Sequence, residues 1–130
     1  MPRADLAARV SLHLAFWVPL AACTYLALTP SPPTAVFRVS DIILHAFAFT
    51  YLTFALGLAM RAPRLGLVGL VMLGYGAFIE LAQSLEPARH AELKDLLVDA
   101  AGIAVGLAAL VWAGGWCRRT AHRLAGLLLG

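Results

Sequence analysis

The run Asp95-Leu-Leu-Val-Asp99-Ala-Ala-Gly102-Ile-Ala-Val-Gly106-Leu-Ala-Ala-Leu110-Val-Trp112 is apolar or small at every position except two, and those two are acids four residues apart. Its apolar part, residues 96–113, has roughly the ~20 residues that a helix needs to cross a ~30 Å hydrocarbon core. Asp95, Asp99, Gly102 and Gly106 recur at i, i+4, i+7 and i+11, so they share one helix face. Gly102-Ile-Ala-Val-Gly106 is a GxxxG step, which lets a second backbone approach closely. A face that is acidic at one end and glycine-lined below belongs inside a bundle rather than against lipid.

Working outward, three more apolar segments of spanning length appear, at about 10–28, 42–60 and 65–85. Helices satisfy their own backbone in lipid, and no alternating barrel pattern is present. The expected fold is therefore all-α: an integral membrane bundle of four transmembrane helices, forming a single domain over residues 1–130. The composition agrees. The chain is 62% hydrophobic and 13% charged, with mean hydropathy +0.83; an average soluble domain is about half apolar and about a quarter charged. Pro30, Pro32 and Pro33 separate the first two segments. Arg61-Ala-Pro63-Arg64 is a tight basic turn, and Glu86-Pro87-Ala-Arg89-His90 a polar loop. Pro19 is expected to kink the first helix. Ser40 or Asp41 can cap the second helix, and Asp95 the fourth. Residues 117–130 read as a tail that lies on the membrane surface or frays.

The net charge of +3 does not imply nucleic acid, because no basic stripe with interleaved aromatics is present. The basic residues flank apolar segments and set orientation instead. Arg3, Arg9, Arg61, Arg64, Arg118, Arg119 and Arg123 fall on one side, against Arg38, Arg89 and Lys94 on the other. The positive-inside rule puts both termini in the cytoplasm. Of the acids, Asp5 alone is then inside. Cys23 and Cys117 would lie near opposite faces, and neither sits in a CxxC. Leu20-Ala21-Ala22-Cys23 has the form of a lipoprotein cleavage box, but Thr24 to Leu28 complete a spanning length, which favours an uncleaved helix.

This topology gathers a polar layer at the outward ends of the segments. The candidate binding residues are Asp41, His45, Glu80, Gln83, Arg89, Asp95 and Asp99. Asp41 and His45 are i,i+4; Gly76, Glu80 and Gln83 are i, i+4, i+7. Ionisable groups within a membrane segment are costly and mark functional sites. The bland alternatives are helix caps at Asp41 and Asp95, a loop ion pair at Arg89, and a hydrogen-bonded interfacial His45. Glu80 is the hardest to explain blandly; pairing with His45 or Arg89, or partial protonation through burial, is expected. His, Asp and Glu together suit a divalent cation such as Mg²⁺ or Mn²⁺ better than a closed zinc site. No GxSxG, no HExxH and no paired Cys and His accompany them, so no nucleophile can be named.

Ser40-Asp41-Ile-Ile-Leu-His45-Ala-Phe-Ala-Phe49 resembles the D-K-x-x-H-F-x-x-[YF] segment of VanZ-like membrane proteins. Glu80-Leu-Ala-Gln83 resembles their E-x-x-Q. Arg89, Asp95, Asp99, Gly102 and Gly106 reproduce R-x5-D-x3-N-x2-G-x3-G spacing. The similarity runs from about Pro30 to Leu110. It departs at Ile42, where the family carries lysine, and at Asp99, where it carries asparagine. The resemblance implies a small multi-pass protein of the bacterial inner (cytoplasmic) membrane with a cell-envelope role, in a family linked to teicoplanin-type antibiotic resistance. The expected function is an outward-facing pocket that binds a lipid-linked envelope component or a lipophilic glycopeptide. The rival is a membrane-embedded metal-dependent enzyme acting on a lipid-linked envelope substrate. Further rivals are a structural subunit of a membrane complex, and a proton-coupled homodimeric transporter. The last fits less well, because Glu80 lies near one face rather than at the midplane.

Overall fold

The computed structural model describes residues 2–30, 41–85 and 93–129. Among these, four helices run in chain order: α1 Pro2–Leu28, α2 Asp41–Ala59, α3 Leu65–Ser84 and α4 Leu93–Leu129. All four are long and apolar enough to cross a membrane, as expected for a multi-pass membrane protein. Their outer surfaces are strongly apolar. Phe47 is 72% exposed, Leu81 65% and Trp112 92%. Water would penalise such a surface; lipid would not.

Contacts fix the relative directions. Asp5 near the start of α1 meets His122 near the end of α4, so these two are antiparallel. His45 meets Asp99 at one end of α2 and α4, and Gly57 meets Arg118 at the other, so these two run parallel. Gln83 near the end of α3 reaches Ala27 near the end of α1, which makes that pair parallel as well. One end of the bundle therefore collects the starts of α2 and α4 and the ends of α1 and α3. The opposite end collects the start of α1, the end of α2 and the C-terminal part of α4.

The most extensive packing is between α2 and α4, and glycine is the cause. A Cβ on Gly102 would lie 2.7 Å from Ala46 O, and one on Gly106 would lie 2.6 Å from Thr50 O. Both neighbours are backbone of α2, so the two helices touch main chain to main chain. The Thr50 hydroxyl lies 2.7 Å from Ala46 O and 3.1 Å from Gly102 O. Its single hydrogen is shared between its own helix and α4. Phe16, Phe49, Leu52, Ala55, Met72 and Ile103 form the buried core beside this seam, with Cys23 packed at its edge.

Helix limits differ from the sequence expectation at α1 and α4. The first helix begins at Pro2 rather than near residue 10, because Arg3 and Asp5 are compatible with a helix that projects beyond lipid. The expected surface tail over 117–130 is instead a continuation of α4 through Leu129. No proline interrupts it, and Gly114-Gly115 alone does not break a helix whose flanks are Ala, Leu, Arg and Trp. Arg118 Nη2 also donates to Gly57 O at 2.6 Å, which ties this part of α4 to the last turn of α2. With 37 residues at ~1.5 Å each, α4 is about 55 Å long and outreaches any bilayer core. Asp95 is not the cap of α4, since the helix begins at Leu93 and Asp95 sits within its first turn. There its charge opposes the helix dipole favourably.

Pro19 lies inside α1. Proline donates no hydrogen bond, so the carbonyl four residues earlier, at Ala15, loses its helical partner. Tyr51 of α2 supplies the replacement: its hydroxyl donates to Ala15 O at 2.7 Å. Tyr51→Phe is therefore expected to cost about 0.5–1 kcal/mol in detergent thermal unfolding. In a Pro19→Ala background the helix satisfies Ala15 itself, and the same change should cost nothing measurable. Equal losses in both backgrounds would show that the hydroxyl is not replacing the proline's missing bond.

Candidate functional site

Three ionisable side chains from three helices converge at the end of the bundle where α2 and α4 begin. His45 lies one turn into α2, Glu80 one turn before the end of α3, and Asp99 six residues into α4. At ~1.5 Å per residue, all three sit about 6–9 Å below their helix ends. One ligand atom from each lies within 4.8 Å of the others.

Asp99 is the centre of this group. Its side chain is 1% exposed, and Oδ1 lies 2.8 Å from His45 Nδ1. A carboxylate accepts here, so Nδ1 carries the hydrogen and donates, leaving Nε2 for another partner. Asp99 Oδ2 is buried and takes no hydrogen bond among the described residues. It faces Gly76, where a Cβ would stand 3.0 Å away. Glycine at that position is what makes room for the second oxygen. Below the group, the His45 ring lies nearly parallel to Phe49, with centroids 6.5 Å apart. Phe49 in turn packs on Tyr75 at 5.7 Å. Thr24 donates to Leu20 O at 2.8 Å, so the 2.9 Å contact between Thr24 and Tyr75 must be donated by the tyrosine. The polar group thus rests on an aromatic floor that is itself anchored to α1.

The other candidate residues are placed differently. Gln83 is buried, but its amide Nε2 donates to Ala27 O at 3.0 Å. It satisfies one of the carbonyls that the end of α1 leaves open, which makes it a helix-end anchor. Asp95 is buried one turn before Asp99 on α4. Asp41 is the first residue of α2, and nothing further is described for it. Arg89 lies outside the described residues, as do Arg38 and His90. The sequence reading did not single out Thr24, Thr50, Tyr51 or Tyr75. Threonine and tyrosine carry no charge, so their cost in an apolar segment is small and leaves little trace; only Tyr51 had a usable signal, the unexplained Pro19 on a neighbouring helix.

Chemically, an aspartate that orients an imidazole leaves Nε2 able to accept a proton or bind a cation. Glu80 adds a second carboxyl within reach. One ligand atom from each of the three lies within 4.8 Å of the others, close enough for the group to hold a divalent cation whose remaining positions water would fill. No family model, no curated protein and no solved structure matches the chain. The similarity to VanZ-like proteins therefore rests on the ordered residues quoted above.

Proposed function

We propose that this chain is a VanZ-like multi-pass protein of the bacterial cytoplasmic membrane. Both termini face the cytoplasm, and the site around His45, Glu80 and Asp99 opens toward the outer leaflet. There it binds the polar head of a lipid-linked envelope component or of a lipophilic glycopeptide. One observation carries the reading. His45, Glu80 and Asp99 belong to three separate pieces of the motif series, and their ligand atoms lie within 4.8 Å of one another. Pure helix cement would not need three ionisable groups at one point, since each is costly at membrane depth. Exposed Trp112 and Trp116 on α4 suit an aromatic belt at the opposite, cytoplasmic boundary.

A second reading is favoured by the same geometry: a divalent cation held by these three side chains, serving chemistry on a lipid-linked envelope substrate. Asp99 then acts as ligand through Oδ2, or holds His45 while Nε2 binds the ion.

One set of variants tests both. His45→Ala, Glu80→Gln and Asp99→Asn are scored for membrane abundance, for glycopeptide and envelope-stress sensitivity, and for metal content after purification. Loss of phenotype at normal abundance, in at least two of the three, is expected. Unchanged phenotype in all three would sink the binding site. Stoichiometric Mg²⁺ or Mn²⁺ in the parent that disappears in Glu80→Gln and Asp99→Asn would select the metal-dependent reading.

A further inference from the structure

At the end of the bundle opposite His45, the helices leave an open cleft of about 310 Å³. The first turns of α1, the last turn of α2 and the turn of α4 around Arg118 and His122 enclose it. Its charged lining is Asp5, Arg9, Arg61, Arg118 and His122. Asp5 is shared: Arg9 lies 3.8 Å from it and His122 3.3 Å. Among the described residues, neither Arg61 nor Arg118 forms an ion pair.

Arg118 is also oriented in advance. Its Nη2 is fixed on Gly57 O at 2.6 Å, while Nε is buried without a hydrogen-bond partner. Arg61 is exposed. The other walls are apolar, from Leu12, Leu58 and Met60. The positive-inside rule accounts for arginines on this side of the bundle. It does not account for two guanidinium groups without an ion pair among the described residues, gathered at one concavity whose other wall is apolar.

Depth adds a second argument. From its start to Trp116, α4 covers about 36 Å at ~1.5 Å per residue. That already exceeds a ~30 Å hydrocarbon core, so Arg118 and His122 fall at headgroup level. We propose that this cleft is a binding site for a phosphate group. Arg61 and Arg118 receive the phosphate oxygens, and the wall of Leu12, Leu58 and Met60 receives the apolar part of the same molecule. Anionic membrane phospholipid supplies that chemistry at that depth, and guanidinium forks match phosphate oxygens in pairs. The site is independent of the one at His45 and stands or falls separately from it.

The experiment uses the full chain in a neutral detergent. Native mass spectrometry counts retained lipid when phosphatidylglycerol or phosphatidylcholine is added at equal concentration. Preferential retention of phosphatidylglycerol is expected. Arg61→Gln should weaken that retention about fivefold, as should Arg118→Gln, from the loss of one cationic contact each. Arg123→Gln removes the same charge from the same side of the bundle outside the cleft, and should leave retention unchanged. Because Arg118 also ties α4 to α2, Arg61→Gln is the decisive variant: among the described residues Arg61 bonds to no helix end. Competition by inorganic phosphate or glycerol phosphate at similar concentration would support the phosphate site but assign it to a soluble ligand. Equal retention of both lipids without such competition would overturn the proposal. So would equal weakening by Arg61→Gln and Arg123→Gln, which would mean that only bulk charge matters.

Discussion

Gly106→Ala destabilises the bundle, and Gly106→Leu leaves little folded protein. The new Cβ at residue 106 would stand 2.6 Å from Thr50 O and 2.7 Å from Thr53 Cβ. A carbonyl oxygen held in a helix cannot rotate aside as a side-chain tip can. The helices α2 and α4 must separate, and with them goes the bond from Thr50 to Gly102 O at 3.1 Å. Overpacking of this kind costs about 1–3 kcal/mol for one methyl group, and more for leucine. Gly102→Ala should behave alike, since its Cβ would meet Ala46 O at 2.7 Å. Gly74→Ala is the control: nothing lies within 4 Å of that position, and alanine is the better helix former. The readout is the thermal midpoint and the folded fraction in detergent. A Gly106→Ala protein as stable as Gly74→Ala would refute main-chain contact between α2 and α4.

The second large effect is expected at Asp99. Removing a partner from a buried, charge-assisted contact leaves the other group desolvated and unpaired. A double-mutant cycle with His45→Ala and Asp99→Ala should give a coupling of about 1–3 kcal/mol. Asp99→Asn introduces the residue that the VanZ-like spacing carries. Its amide oxygen still accepts from His45 Nδ1, so most of the stability should return. Its charge does not return, so function should follow Asp99→Ala if the carboxylate acts, or recover if only the imidazole orientation matters. Additive single mutants would mean that the 2.8 Å contact contributes nothing to the folded state.

The four-helix architecture was legible because its cause is local. Apolar runs of spanning length, broken by Pro30-Ser-Pro-Pro33 and Arg61-Ala-Pro-Arg64, read as helices because a helix satisfies its own backbone along its whole length. Position along each helix was legible for the same reason. A fixed rise places His45, Glu80 and Asp99 at one depth, and helical phase puts Gly102 and Gly106 on the face of Asp99.

Which residues touch was not legible, because it depends on rotation and direction between helices. Depth alone grouped Gln83 with His45, yet its amide turns to Ala27 of α1. Depth alone also treated residues 117–130 as separate from the bundle. The contacts of Arg118 with Gly57 and of His122 with Asp5 join residues more than fifty positions apart in sequence, and no local pattern marks them. The pairing of Tyr51 with the carbonyl left open by Pro19 is of the same kind. By itself, then, the sequence determined four membrane-length apolar helices and the shared level of His45, Glu80 and Asp99 along them, since these follow from hydrophobicity and a fixed rise; it did not fix where α1 begins or where α4 ends. Only the tertiary structure decided that Asp99 takes His45, that α2 and α4 meet through glycine, and that Arg61 and Arg118, without an ion pair among the described residues, border a cleft at the far end. Those depend on how whole helices turn toward one another, and packing sets that across the entire bundle.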